Sequence, residues 1–131
     1  MGIRYAWRGY FTNEALNELH ADAFEHEPFA DDWEKQLDRY SLGWVCAYAG
    51  NNLIGFVNVA WDGGVHAFIL DTIVARAQQR RGIGARLIRI AAQQAGDAGC
   101  EWLHVDFDPE HRTFYLEVCG FTETEAGLIE L

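Results

Sequence analysis

Apolar residues recur along this chain at two spacings, one close to every second position and one close to every third or fourth. Ile3–Tyr10 mixes β-branched and aromatic residues and predicts a strand. Thr12 stands where a helix N-cap belongs, and Ala15, Leu16, Leu19, Ala23 and Phe24 follow at helical spacing, so roughly 13–24 predicts an amphipathic helix. His26-Glu27-Pro28-Phe29 breaks it, and Asp31 and Asp32 open a second short helix carrying Trp33, Leu37 and Tyr40. Trp44–Ala49 and Leu53–Trp61 read as strands joined at a hairpin-type turn, Gly50-Asn51-Asn52. After the turn residues Asp62-Gly63-Gly64 comes an apolar run, Val65–Val74. A helix from Gly82 to about Gly96 places Ile83, Leu87, Ile90, Ala91 and Ala95 on one side. Trp102–Phe107 predicts a strand, Pro109 the first turn of a helix reaching about Val118, and Phe121–Thr124 with Ala126–Leu131 a closing pair of strands.

The order β, α, α, three strands in meander, α, β, α, β-β predicts an α/β (α+β) fold. Its central sheet is expected to be mixed, mostly antiparallel, with six to seven strands and about four helices on both faces. Val65–Phe107 supplies a strand–helix–strand crossover, and such folds bind ligands outside the carboxyl ends of their strands. No linker or repeat interrupts the 131 residues, so a single domain over 1–131 is expected.

Composition narrows the function. Half the residues are apolar and 14% aromatic, enough for a real core. No window approaches the ~18–20 consecutive apolar residues of a membrane span, and the N-terminal residues lack the apolar stretch of a secretory signal, which predicts a cytoplasmic protein and no membrane partner. Cys46, Cys100 and Cys119 are odd in number and widely spaced, predicting reduced thiols and neither a disulfide framework nor a zinc knuckle. A net charge of −10 repels nucleic-acid phosphates, so no nucleic-acid partner is expected, and any anionic cofactor needs a locally positive site.

That site is Gln79-Arg80-Arg81-Gly82-Ile83-Gly84-Ala85, which follows a strand and opens a helix. The first amides of a helix lack internal partners and, with the helix dipole, favour a phosphate or pyrophosphate; glycines let the backbone approach it. Arg76, Arg80, Arg81, Arg86 and Arg89 put five of the ten basic residues in this stretch. A dinucleotide turn would need glycine where Leu87 stands, and a Walker loop would need Gly-Lys-Ser/Thr, which is absent. The run from Val74 through Gln79, Gly82, Ile83 and Gly84 resembles the Q/R-x-x-G-x-G/A acetyl-CoA motif of the GNAT superfamily of N-acetyltransferases. Phe114-Tyr115-Leu116-Glu117-Val118-Cys119-Gly120-Phe121, about 30 residues later, is similar to that family's late F-Y-x-x-x-G-F signature. The element order resembles the family's fold over nearly the whole chain.

The resemblance implies an acetyl-CoA-dependent N-acetyltransferase acting by direct attack of a primary amine in a ternary complex, with no metal. It implies that the amides of Gln79, Arg80, Arg81, Gly82, Ile83, Gly84 and Ala85 hold the CoA pyrophosphate. Backbone near Ile73 and Val74 would pair with the pantetheine arm like an added strand, and Trp102–Phe107 would splay away to leave a slot. Tyr115 matches the tyrosine that protonates the departing thiolate. Three places depart from the family pattern: Arg76 stands where a proline is common, and Pro109 and His111 replace a usual Asn and Ala. The general base departs most, because the strand positions that carry Glu or His in many relatives are Phe68 and Leu70.

Other residues compete for that role. His66 shares the phase of Phe68 and Leu70; Asp71 is in the opposite phase unless a bulge re-aims it. His104, Asp106 and Asp108 share a face of the next strand, with Asp108 also suited to N-cap Pro109. Glu25, His26 and Glu27 lie in the loop that shapes the acceptor site in relatives. Asp106 is the preferred base or amine-binding carboxylate, ahead of Asp71 and His66; a metal site from Asp106, Asp108 and His111 is not expected. The acidic balance favours a cationic acceptor, polyamine-like, aminoglycoside-like or a basic peptide amine. The missing acids at Phe68 and Leu70 leave an alternative, a catalytically silent CoA-binding sensor or interaction module. Trp7, Trp33, Trp44, Trp61 and Trp102 outnumber obvious core slots, leaving an acceptor pocket or a homodimer face open.

Overall fold

A computed structural model describes residues 2–131. Five strands form one sheet in the order β1 (Arg4–Trp7), β2 (Ser41–Ala49), β3 (Asn52–Trp61), β4 (His66–Val74) and β5 (Trp102–His104). The first three junctions are antiparallel and the fourth is parallel, with α3 (Ile83–Asp97) as its crossover. Two further helices, α1 (Asn13–Phe24) and α2 (Trp33–Tyr40), precede the meander. Their starts follow local chemistry: Thr12 Oγ1 accepts from the Ala15 amide, and Asp32 Oδ1 from that of Lys35.

Both faces of the sheet are covered, which explains why β2 and β3 read as continuous apolar runs. Val45, Val57, Val59, Ala67 and Ile69 meet Ile83, Leu87, Ile88, Ala91 and Ala95 of α3. Cys46, Tyr48, Phe56 and Ile73 point the other way, onto Leu16 and Leu19 of α1 and Trp33 and Leu37 of α2. All three cysteines are free thiols, Cys46 buried and the others half-buried. Among the described residues, no helix is long and apolar enough to cross a membrane.

Several predicted boundaries move. The first strand ends at Trp7 rather than Tyr10, because Arg8 turns left-handed (φ 55°) and its amide reaches back to the Trp44 carbonyl. Strand β5 stops at His104, three residues short of Phe107, where its ladder with β4 runs out. The predicted closing strands Phe121–Thr124 and Ala126–Leu131 do not form, so among the described residues the sheet has five strands and not six to seven. A strand persists only with a ladder partner. Here the Phe121 amide turns back onto the Tyr115 carbonyl, and Glu123 is held by a two-pronged pair with Arg112. The tail therefore leaves Leu128 and Ile129 exposed at 79% and 86%. The helix expected from Pro109 to Val118 divides into a 3-10 turn, Pro109–His111, and a π-helical segment, Thr113–Val118. Asp108 occupies the N-cap position of the turn without a capping hydrogen bond from its side chain. Trp33 is core and Trp102 is exposed.

Candidate active site

The site forms where β4 and β5 part. Their ladder joins His66, Ala67 and Phe68 to Trp102, Leu103 and His104, and goes no further. Beyond it the β4 edge opens onto a cleft of about 1290 Å³ lined in part by Leu70, Arg89, Asp106, Phe107 and Leu116. The expected splay of the two segments is thus present, produced by chain that leaves strand geometry rather than by a strand that diverges.

A β-bulge sits at this parting. Phe56 faces Ile73 and Asn58 faces Leu70, so Asp71 and Thr72 together oppose Val57. Asp71 takes the left-handed conformation, φ 54°. The extra residue reverses the phase of the strand: Ile69 packs with the α3 core, while Ile73 packs with α1 and α2. Asp71 comes under the influence of Asn58 and of His20 on α1. Burial raises its pKa, while hydrogen bonding to Asn58 and the charge of His20 oppose the rise. Asn58 is itself buried and accepts from Ser41 Oγ.

Thr72 turns to the other side and accepts a hydrogen bond from the Tyr115 hydroxyl at 3.2 Å. The π-helical segment delivers Tyr115 there through an i→i+5 bond, Cys119 amide to Phe114 carbonyl, at 2.9 Å. Phe107 stacks on the tyrosine ring (5.1 Å, 21°), and Phe114 and Phe121 meet it edge-on. Burial raises the Tyr115 pKa; the hydrogen bond to Thr72 pulls it down, and Cys119 and Asp106 push it up. The phenol is therefore protonated at neutral pH, the form a proton donor needs.

The glycine turn leaves β4 through a 3-10 turn, Arg76–Gln78. Gly82 precedes α3 in the left-handed conformation (φ 79°), and no side chain caps the helix, so its first amides remain available. Gly84 serves packing: a Cβ there would come 3.2 Å from Phe114 Cζ. The Gln79 carboxamide donates to the Val74 carbonyl at 3.1 Å, tying the turn to the end of β4. The arginines divide. Arg76 pairs with Glu25 at 3.0 Å while its amide donates to Asp22, and Arg86 lies over the Tyr5 ring at 5.4 Å. Arg80 and Arg81 remain exposed at the turn, and Arg89 reaches the cleft. The positive site thus rests on Arg80, Arg81 and Arg89 and not on all five.

The three candidate bases are not brought together. Asp71 lies at the bulge beside Thr72. Asp106 is exposed on the cleft, and its charge pushes the Tyr115 pKa up. His66 is six positions before Thr72, roughly 20 Å at ~3.3 Å per residue, and its Nδ1 lies 2.8 Å from His104 Nε2. Phe68 stacks on His104 at 4.7 Å, closing that end. Thr72, Asn58 and His20 were missed from the sequence. Only Asn58 carried a signal, as a lone polar residue in the apolar run Leu53–Trp61.

Residues 9–121 match the Acetyltransferase (GNAT) family. Over 61 residues the chain is 38% identical to a probable glucosamine 6-phosphate N-acetyltransferase 2 of Oryza sativa subsp. japonica, covering 47% of this chain and 36% of that protein. The chain thus spans about a third of the length of that curated relative. A protein of unknown function from meticillin-resistant Staphylococcus aureus, described as a probable acetyltransferase, superposes with a TM-score of 0.82 at 21% identity, covering 99% of this chain and 98% of that one. An aminoglycoside acetyltransferase from an uncultured soil metagenomic sample, solved with sisomicin, gives 0.76 at 19% identity, covering 98% and 94%. By the extent of the family match and the fold it shares with these structures, the chain belongs to the GNAT family of acetyltransferases.

Proposed function

We propose that the protein transfers the acetyl group of acetyl-CoA to a cationic primary amine by direct attack within a ternary complex. One observation carries this reading: the β4 bulge aims Thr72 with Tyr115 to one side and Asp71 to the other, where β4 and β5 part beside an uncapped helix start. The residues present suit the donor. Free amides at the start of α3, with Arg80 and Arg81 exposed beside them, would hold its pyrophosphate, and the unpaired β4 edge would take the pantetheine arm. Acetyl-CoA supplies the thioester carbon and the thiol leaving group. Asp71 binds the ammonium form of the acceptor, which gives up one proton to a base; the neutral amine forms the C–N bond and sheds its second proton, the C–S bond breaks, and the Tyr115 hydroxyl protonates the sulfur and is reprotonated in turn, so one proton is released overall. Of the two other candidate bases, Asp106 flanks the slot on the tyrosine side and His66 lies too far along β4.

The relatives act, by name, on amines carried by sugars, glucosamine 6-phosphate and an aminoglycoside. Together with the net charge of −10, this favours a cationic amino sugar as acceptor. The test is release of CoA thiol from acetyl-CoA over a panel of polyamines, aminoglycosides, amino sugars and basic peptides. Tyr115→Phe is expected to lower kcat by about a hundredfold with little change in acetyl-CoA binding. A second reading has support in Phe68 and Leu70, which present exposed apolar side chains where relatives place an acid or base. A silent CoA-binding module would bind CoA and turn over with none of the panel.

A further inference from the structure

The loop between α1 and α2 holds a second set of titratable rings. His20, on α1, places Nδ1 2.7 Å from Nε2 of His26 in the loop. His26 Nδ1 lies 2.6 Å from the Glu27 carbonyl oxygen. A carbonyl only accepts, so His26 Nδ1 carries the hydrogen, and neutral His26 offers a lone pair at Nε2. His20 Nδ1 must then donate to it. The two bonds together leave His20 Nε2 without a hydrogen, as the accepting end of the pair.

The rings are clamped in place. Phe29 stacks on His26 (4.3 Å, 12°), Phe24 leans on His20 at 4.7 Å, and Trp33 lies 6.1 Å from His20. Trp33 donates to Asn17 Oδ1, and Asn17 donates to the Asp31 carbonyl, which ties the loop to α1 and α2. The titratable groups that act on His20 come from three segments: His26 in the loop, Asp31 before α2 and Asp71 on the bulge of β4. Burial, then His26, lowers its pKa; Asp71 and Asp31 oppose, and the net direction is down. His20 is therefore neutral near pH 7. Two residues on, the Asp22 carboxylate accepts from the Arg76 amide at 2.9 Å, which sets this end of α1 over the end of β4, the strand whose bulge carries Asp71.

We propose that His20 is the general base that deprotonates the acceptor amine, and that His26 is the positioning residue that holds His20 in the reactive tautomer. This rests on the transferase reading above. The ammonium N–H bond breaks and an N–H bond forms at His20 Nε2. The resulting imidazolium donates through Nδ1–H to His26 Nε2, and its proton passes to solvent once the product leaves. The second amine proton, shed after the C–N bond forms, replaces the one that Tyr115 gives to sulfur, so one proton is released per turnover.

The experiment combines pH–rate profiles of wild type, His20→Gln and His26→Gln on the amine panel with nitrogen-detected histidine spectra of the wild-type protein. Wild type should hold its kcat/KM down to below the ordinary imidazole value of about 6.5, and His20→Gln should lose about a hundredfold in kcat at pH 7. In His20→Gln the acid limb should move toward the acceptor's own pKa, about 10 for an alkylamine, with rate recovered in alkali. A smaller loss is expected for His26→Gln, with KM for acetyl-CoA unchanged in both. The spectra should show both rings as Nδ1–H tautomers. Transfer by wild type with an unaltered profile in His20→Gln, or an Nε2–H tautomer at His20, overturns the base and leaves the transferase standing. Failure of wild type to acetylate any amine of the panel overturns both.

Discussion

Asp71 joins an unfavourable backbone to an unfavourable charge. Its φ of 54° lies in the left-handed region, where Asp and Asn are the least penalised residues bearing a Cβ. Burial raises its pKa, with Asn58 and His20 opposing. A carboxyl whose folded pKa is raised adds stability only below its unfolded pKa, and that contribution is lost as pH rises through the folded value. Ionised Asp71 therefore costs stability at neutral pH. Asp71→Asn, which tolerates the same backbone, is expected to melt higher than wild type at pH 7, with the gap closing as pH falls through the carboxylate range. The same variant should raise KM for cationic amines. A gap that is absent at pH 7, or constant with pH, would remove Asp71 from this role.

At the scale of elements, the alignment of β4, α3 and the π-helical segment places the chemistry. Gly84 lies on the first turn of α3 with Phe114 against it, and Phe114 packs edge-on with Tyr115 at 4.8 Å. Gly84→Ala gains about 1 kcal/mol of helix propensity but sets a Cβ 3.2 Å from the Phe114 ring. The melting temperature should stay nearly level while kcat falls severalfold, because small displacements of a reacting group are costly. A falling melting temperature with unchanged kcat would show that Gly84 matters to folding alone. Much of this was legible along the chain: the capped starts at Thr12 and Asp32, the hairpin at Gly50 and the Gly82–Gly84 turn announce themselves by local chemistry, while Tyr115 stood out only through a signature that resembles the family's. The bulge and the π turn were not, since each depends on a registry between segments and leaves no periodicity of its own. The missing closing strands failed for a related reason: Phe121–Leu131 has strand-like residues, but β-propensity records fitness for a ladder and not the presence of a partner.

Across the whole molecule, twenty acidic residues face ten basic ones, and the structure draws Arg76 and Arg86 away from the phosphate turn. The acceptor side thus carries the field of an acidic protein, while the donor side depends on a few local charges and helix amides. Raising the ionic strength from about 0.05 to about 0.5 M shortens the Debye length from above 10 Å to below 5 Å. KM for a cationic acceptor should rise over that range, while that for an acceptor uncharged at the same pH stays flat, as steady-state kinetics would read. Equal salt response for both acceptors would set aside the electrostatic account of acceptor choice.

What the sequence determined by itself is the frame of the proposed donor half: a strand, a glycine turn and a helix start are contiguous, so about twenty residues of local geometry set out the free amides on which that proposal rests. The proposed acceptor half depends on tertiary structure alone. Asp71 becomes a neighbour of His20 only because the bulge inverts the phase of β4 over α1, and Tyr115 meets Thr72 only because the π turn carries it across the sheet. A hydrogen bond between residues 43 positions apart, and the influence of His20 on a carboxyl 51 positions away, depend on how packed elements stand against each other, which neither spacing nor composition records.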